Sequence, residues 1–198
     1  MKITKFTHAC VRLEHEGRVL VVDPGIWSEP YALRGADAVL VTHEHGDHFD
    51  LLRLRGLGVP VYAPQGADLR DLDVHRVAAG EEFTAAGFAV RAVGGRHAEI
   101  HGGLPDCVNL GYVVDGSVYH PGDSLHVPDA DVETLFVPVH GSWLKTTEAL
   151  DFVNAIKPER AFAIHEAQLN DRGLESVNGW FGKATDHGYR YLRPFEET

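Results

Sequence analysis

Four residues of metal-ligating type stand close together directly after a predicted buried strand, and no other feature constrains the chain as strongly. The apolar run Ala38–Val41 predicts the strand, and the pattern His43-x-His45-x-Asp47-His48 follows it. Alternate residues of an extended segment point the same way, so His43 and His45 can converge on one ion. As the chain turns toward a helix, Asp47 and His48 can reach a neighbouring ion. Imidazole and carboxylate without thiolate suit zinc, and also iron or manganese.

Three more candidate ligands occur in the same setting, just past the end of an apolar strand. They are His97, Asp123 and His165. If the sheets are aligned, these strand ends share one edge with His43, and a two-metal site with seven ligands results. A carboxylate such as Asp123 can bridge two cations. His101 is an alternative to His97, because the glycines of that loop leave the placement open.

Short alternating or apolar runs recur along both halves of the chain and predict strands. Asp115-Gly116 between two such runs is a strong hairpin signal. Helical patterns fall near 49–55, over 146–157 and over 172–183. No linker or low-complexity segment divides the chain, so one domain over residues 1–198 is expected. Antiparallel meanders with interspersed helices predict an α/β sandwich rather than a regular βαβ alternation.

Composition narrows the classes of function. The 198 residues include 18 Lys and Arg against 29 Asp and Glu, which gives a net charge of −11 and argues against a surface that binds nucleic-acid phosphates. No apolar run is long enough to span a membrane, and the N-terminus lacks the pattern of a signal peptide. Cys10 and Cys107 form no CxxC pair. A cytoplasmic protein without a disulfide framework is expected.

Together these residues resemble the metallo-β-lactamase superfamily of metal-dependent hydrolases. The resemblance covers nearly the whole chain, and the HxHxDH element is highly specific. The Pro-Gly-Asp-Ser turn at 121–124 and the strand-His165-helix unit are most similar to compact bacterial proteins related to ascorbate-6-phosphate lactonase. The resemblance implies a four-layer αβ/βα sandwich with two mixed sheets and with the metals at one edge. It also implies two divalent ions, with Zn²⁺ favoured and Mn²⁺ or Fe²⁺ compatible.

The resemblance further implies a role for each ligand. Its two ligand groups are His43, His45 and His97 for one ion and Asp47, His48 and His165 for the other, with Asp123 as the bridge. Asp23 would not bind a metal itself but would orient one of the ligands through its carboxylate. The implied reaction is attack by a hydroxide that bridges the metals on an ester, lactone, amide or phosphodiester, with Asp47 orienting the nucleophile.

The other histidines are assigned by their local context. His140 is predicted to contact the substrate or to donate a proton to the leaving group, and the nearby Trp143 is expected to pack or to lie at the surface. His120, within a strand, is expected to pack or to form a hydrogen bond. The remaining ones are expected to be solvated: His8, His15, His75, His126 and His187.

Two other functions are compatible with the same fold. One is a non-catalytic metal-binding regulatory module, which the intact ligand set disfavours. The other is a nucleic-acid-processing phosphodiesterase, which the net charge of −11 disfavours. The expected partner is therefore a small-molecule substrate. An anionic substrate is compatible, because two divalent ions would add positive charge at the carboxylate-rich edge.

Overall fold

Thirteen β-strands form two sheets in the computed structural model, which describes residues 1–198. The first sheet has its strands in chain order: β1 (Lys2–Lys5), β2 (Val11–His15), β3 (Arg18–Val22), β4 (Ala38–Leu40), β5 (Val61–Pro64) and β6 (His75–Val77). The second sheet is also in chain order: β7 (Glu82–Ala85), β8 (Phe88–Gly94), β9 (Leu110–Val114), β10 (Val118–His120), β11 (Thr134–Pro138), β12 (Arg160–Ile164) and β13 (Tyr189–Arg190). The helices are α1 (Leu51–Arg55), α2 (Thr146–Ile156) and α3 (Asp171–Ala184).

Both sheets are mixed, and they are built in the same way. In the first sheet β1, β2 and β3 pair antiparallel, and β3 to β6 then pair parallel. In the second sheet β7 to β10 pair antiparallel, and β10 to β13 then pair parallel. Each half of the chain therefore forms an antiparallel meander, as the turn signals predict, and parallel strands follow it.

Apolar side chains from both sheets pack face to face and form the central core. Leu20 and Leu40 of the first sheet and Tyr112 and Phe136 of the second belong to this cluster, and each is at most 1% exposed. The outer face of the first sheet packs against α1, and the outer face of the second packs against α2 and α3. The layers are therefore helix, sheet, sheet and helices, in agreement with the predicted four-layer sandwich.

The helices begin and end within two residues of the predicted ranges. Helix α1 begins later than predicted because Asp50 caps it, its side chain accepting hydrogen bonds from the N–H groups of Leu52 and Arg53. Helix α2 ends where Lys157 adopts a left-handed conformation directly before Pro158. None of the helices combines the length and the apolar character that a membrane crossing requires.

Candidate metal centre

The carboxyl ends of β4, β8, β10 and β12 meet at one edge of the sandwich. In the second sheet β8, β10 and β12 run in the same direction, because β9 lies antiparallel between the first two and β11 lies parallel between the last two. The backbone N–H of Leu110 donates to the carbonyl of Thr42 at 2.9 Å and so joins the end of β4 to this edge. The side chains that follow these strands therefore come together.

Two groups of side chains at this edge could each hold a metal ion. One comprises His43, His45, His97 and Asp123, and the other comprises His8, Asp47, His48 and His165. Within each group the ligand atoms lie within 4.8 Å of one another. The two groups contain every ligand predicted from the sequence, and they add His8. His97 is buried in the first group, whereas His101 is exposed and pairs with Leu104 outside it.

Asp123 lies between the two groups. Its Oδ1 is 3.0 Å from His48 Nε2, and its Oδ2 is 3.2 Å from His97 Nε2 and 3.1 Å from His165 Nε2. Its backbone N–H donates to Asn109 Oδ1 at 2.9 Å, which holds the turn. Gly122 is required before it, because a Cβ there would lie 2.4 Å from that same Asn109 oxygen. The carboxylate thus touches histidines on both sides, as a bridging ligand must.

Six buried polar atoms of this centre have no hydrogen-bond partner within the protein. They are His43 Nε2, His48 Nε2, His97 Nε2, Asp123 Oδ1 and both ring nitrogens of His165. Buried polar atoms are almost always paired, because an unpaired one costs about 1–3 kcal/mol. All six belong to predicted ligands, and imidazole nitrogen and carboxylate oxygen are the atoms that bind divalent cations. The residues present therefore fit a metal centre.

Asp23 and Thr42 determine how two of the histidines present their nitrogens. Asp23 is fully buried and accepts hydrogen bonds from Thr42 N at 2.8 Å and Thr42 Oγ1 at 2.7 Å. Asp23 Oδ2 also lies 2.7 Å from His48 Nδ1, and Thr42 Oγ1 lies 3.0 Å from His43 Nδ1. Because these oxygens accept the Nδ1 protons, Nε2 of each ring directs a lone pair toward the centre once the ring is neutral.

The charges of the centre follow from burial and from neighbouring groups. Burial lowers the pKa of His43 well below 6.5, and His48 adds to this. Burial acts in the same direction on His165, but the carboxylates of Asp123 and Asp47 outweigh it and raise its pKa to about 9. Burial alone would raise the pKa of Asp123, yet the facing His48 and His165 hold it well below its usual value. Both carboxylates are therefore ionised near neutral pH.

Two sequence predictions are wrong, and both concern this centre. His8 is not solvated: it is fully buried, and its Nε2 lies 3.0 Å from Asp47 Oδ2. The only local signal was its place just beyond the alternating strand β1. Trp143 does more than pack, since its indole Nε1–H donates to Asp123 Oδ2 at 3.0 Å. Gly141 makes room for that ring, because a Cβ there would lie 2.8 Å from the indole nitrogen.

Three further side chains lie near this edge without belonging to either ligand group: Cys107, His140 and His120. Cys107 lies in the loop before β9 with its Sγ 3.8 Å from His45 Nε2, a proximity that the sequence did not indicate. His140 follows β11 and is half-buried, outside both ligand groups. Burial and the neighbouring His165 lower the pKa of His140. His120 forms the hydrogen bond expected of it, with its Nε2 2.8 Å from the carbonyl of Ala9.

Comparison with known proteins identifies the family of this chain. Residues 2–165 match the beta-lactamase superfamily domain. Protein Rv0786c of Mycobacterium tuberculosis is 38% identical over 200 residues, which cover 94% of this chain and 92% of that protein. The UPF0173 metal-dependent hydrolase MK1542 of Methanopyrus kandleri is 28% identical over 199 residues, which cover 83% of this chain and 84% of that protein. The chain therefore belongs to the metallo-β-lactamase superfamily of metal-dependent hydrolases.

A solved structure shows the same fold. It is that of Igni18, described as a novel metallo hydrolase from the hyperthermophilic archaeon Ignicoccus hospitalis. The two structures superpose with a TM-score of 0.79 at 20% sequence identity, and the alignment covers 100% of this chain and 97% of Igni18. The two-sheet architecture is thus common to both proteins despite the low identity.

Proposed function

We propose that this chain uses two divalent cations to hydrolyse an ester, lactone, amide or phosphodiester bond of a small molecule. The observation that carries the proposal is the set of six buried ligand atoms without partners, all on residues of two adjoining groups. Some of these atoms lie close together, with Asp123 Oδ1 3.0 Å from His48 Nε2, but no hydrogen bond joins them, whereas a purely structural polar cluster would be hydrogen-bonded. Zn²⁺ suits these nitrogen and oxygen ligands best, and Mn²⁺ or Fe²⁺ is compatible with them.

The proposal divides the ligands between the two cations. The first would be held by His43, His45 and His97 and the second by Asp47, His48 and His165, with Asp123 between them. This division is supported by the position of the Asp123 carboxylate, 3.2 Å from His97 on one side and 3.0 Å from His48 on the other. It is also supported by the lone pairs that Asp23 and Thr42 direct inward from His48 and His43.

Each part of the centre has a separate task in the proposed reaction. When bound, the two cations lower the pKa of water so that hydroxide is available near neutral pH, and they polarise the carbonyl or phosphoryl group. Asp47 is partly accessible, with 19% of its side chain exposed, and its carboxylate can accept a hydrogen bond from the attacking water and orient it. His140, half-buried beside His165, is proposed to contact the substrate or to donate a proton to the leaving group.

Anionic small molecules fall within the proposed substrate class. The net charge of −11 is counted without metal ions. Two divalent cations at this edge would offset the charges of Asp23, Asp47 and Asp123, so the centre would be much less negative than the overall charge suggests. A carboxylate or phosphate group on the substrate would then be attracted to the centre.

The test combines metal analysis with a broad panel of hydrolase substrates. Protein purified without chelator is expected to hold close to two ions per chain and to hydrolyse at least one ester, lactone, amide or phosphodiester. His45→Ala is expected to lower both the metal content and the hydrolysis, whereas His15→Ala, at an exposed hairpin, should change neither. Fewer than one ion per chain, or a His45→Ala variant with unchanged metal content and activity, would overturn the proposal.

A second comparison examines the third ligand of the first group. His97→Ala is expected to reduce metal content, because His97 Nε2 is buried against Asp123 and lacks a hydrogen-bond partner. His101→Ala is the matched control, four residues away on the exposed part of the same loop. Loss of metal from the His101 variant with retention in the His97 variant would reverse the assignment.

A further inference from the structure

His8 lies inside the second ligand group, and its chemical role depends on which ring nitrogen carries the proton. It is fully buried in the turn after β1, where its backbone adopts a left-handed conformation with φ of 68°. Its Nε2 is 3.0 Å from Asp47 Oδ2, and its ring lies 4.0 Å from that of His165. With a lone pair on Nε2 it would be an additional protein ligand to the second cation. With a proton on Nε2 it would instead donate to Asp47.

A backbone amide distinguishes these two roles. The N–H of Ala167 donates to His8 Nδ1 at 3.4 Å. An amide N–H can only donate, so this contact favours a lone pair on Nδ1 over the doubly protonated ring. A neutral imidazole then carries its single proton on Nε2. That proton points to Asp47 Oδ2, which leaves no lone pair on Nε2 for a metal ion.

The backbone of His8 is held by a buried ion pair. Lys5 is fully buried, and its Nζ lies 3.2 Å from Oε1 of Glu166. Glu166 is the residue directly after His165. Glu166 Oε1 accepts the backbone N–H of His8 at 2.9 Å, and Lys5 Nζ donates to the His8 carbonyl at 2.6 Å. The His165 N–H donates to the same carbonyl at 3.3 Å. The pair thus fixes His8 relative to His165, a proposed ligand of the second cation.

We propose that His8 is a positioning residue of the second metal site, which donates its Nε2 proton to Asp47 and is itself held by the Lys5–Glu166 pair. The inference rests on the proposed two-metal function and adds a residue that the predicted ligand set does not contain. A hydrogen bond to a ligating carboxylate fixes its orientation, and loss of such a bond typically weakens metal binding about 10–100-fold. The Lys5–Glu166 pair explains why a residue of the first turn can hold Asp47 from the opposite side of the centre.

Nitrogen NMR of the zinc-loaded protein with labelled histidine tests the tautomer directly. The His8 resonances are assigned by their loss in His8→Asn. The expected result is a protonated Nε2 and an unprotonated Nδ1 while two zinc ions are bound. An Nε2 that carries no proton and is bound to zinc would overturn the inference. A wild-type protein that holds fewer than one ion per chain would instead overturn the proposed function, so the two failures are distinguishable.

Two variants test the role through metal affinity. His8→Asn keeps an acceptor toward Ala167 and suits the left-handed backbone, but its side chain ends short of Asp47. His8→Gln can extend an N–H to Asp47, yet its amide nitrogen offers no lone pair to a metal. In zinc titrations, His8→Asn is expected to weaken the second ion about 10–100-fold with little change at the first. His8→Gln should recover most of that loss.

The outcomes separate positioning from ligation and from a merely structural role. Circular dichroism and thermal unfolding verify that each variant is folded. If folded His8→Gln binds the second ion as weakly as His8→Asn, an N–H donated to Asp47 does not support the site and the inference is wrong. If His8→Asn binds both ions with wild-type affinity, His8 has no part in the site and the inference is equally wrong.

Discussion

The Asp23 carboxylate accepts the Nδ1 proton of His48 at 2.7 Å, and both side chains are fully buried. Asp23→Asn keeps the shape of this carboxylate but removes its charge and one of its acceptor oxygens. His48 is then held less firmly, and we expect the second metal ion to bind about 10–100-fold more weakly. Zinc titration measures the affinity for each ion. Asp115→Asn, at the exposed β9–β10 turn, is the control, and equal affinities in the two variants would refute the orienting role of Asp23.

Trp143 is predicted to act on both metal sites through a single hydrogen bond. Trp143→Phe keeps an aromatic ring but removes the N–H that donates to Asp123 Oδ2. Because Asp123 contacts histidines of both groups, we expect both ions to bind more weakly, by about 10–100-fold. Trp180→Phe, on the exposed face of α3, should leave both affinities unchanged. Selective loss of one ion in Trp143→Phe would contradict a bridging position for Asp123.

Gly25 permits close contact between the turn after β3 and the loop that carries Asp47. A Cβ at Gly25 would lie 1.9 Å from the carbonyl oxygen of Asp47, and backbone atoms cannot move aside cheaply. Gly25→Ala is therefore expected to lower the free energy of unfolding by about 1–3 kcal/mol and to reduce metal content. Gly56→Ala, where no atom lies within 4 Å and φ is −97°, should change stability by less than about 0.5 kcal/mol. Chemical denaturation compares the two, and equal stabilities would show that this contact is not required.

Metal binding is predicted to release protons near neutral pH. In chelator-treated protein the carboxylates around His165 and His48 outweigh burial, raising the pKa of His165 to about 9 and that of His48 well above 6.5. Both rings are then protonated before metal binds and must lose those protons to become ligands. Calorimetric zinc titrations in buffers of different ionisation enthalpy should give different heats. Heats that do not depend on the buffer would contradict the raised pKa values.

The same shifts determine how the stability of chelator-treated protein depends on pH. The folded-state pKa of His165, about 9, lies above its ordinary value of 6.5. The stabilisation from this group is therefore fully present below pH 6.5 and is lost as pH rises through about 9. His8 acts oppositely, because burial lowers its pKa to about 4 and its contribution is lost as pH falls through that value. Thermal unfolding of wild type and His165→Gln at several pH values measures the first effect, which should be absent from the variant.

The buried Lys5–Glu166 pair is expected to be strongly coupled. Glu166→Gln leaves the Lys5 ammonium buried without a counter-charge, which should cost about 3–5 kcal/mol of unfolding free energy. Lys5→Met combined with Glu166→Gln should recover much of that loss. The exposed Lys2–Glu197 pair, 3.0 Å apart, is the matched comparison, with a coupling of at most about 1 kcal/mol. Equal couplings in the two double-mutant cycles would contradict the argument.

The sequence by itself determined which residues are candidate metal ligands. Each predicted ligand follows an apolar strand within a few residues, and that relation is local. The clustering of these residues can be inferred from the sequence because the carboxyl ends of strands that run in the same direction meet at one edge of a sheet. The spacing of His43, His45, Asp47 and His48 is likewise a property of one short segment. The strands and the antiparallel meanders could be predicted for the same reason, since apolar runs and turn residues are short-range signals, whereas the two mixed sheets were implied by the family resemblance.

Only the tertiary structure decided which turns face that edge. The position of His97 at this edge depends on hydrogen bonds from His97 N to the carbonyl of Cys107 and from Ala98 N to that of Asp123, both on other segments of the chain. His8 and Trp143 reach the centre from turns of different sheets. Their positions depend on how the two sheets pack and, for His8, on the ion pair between strand β1 and the segment after β12. Contacts between distant segments produce no periodic pattern in a sequence. The places of His8 and Trp143 in the centre could therefore be identified only from the tertiary structure.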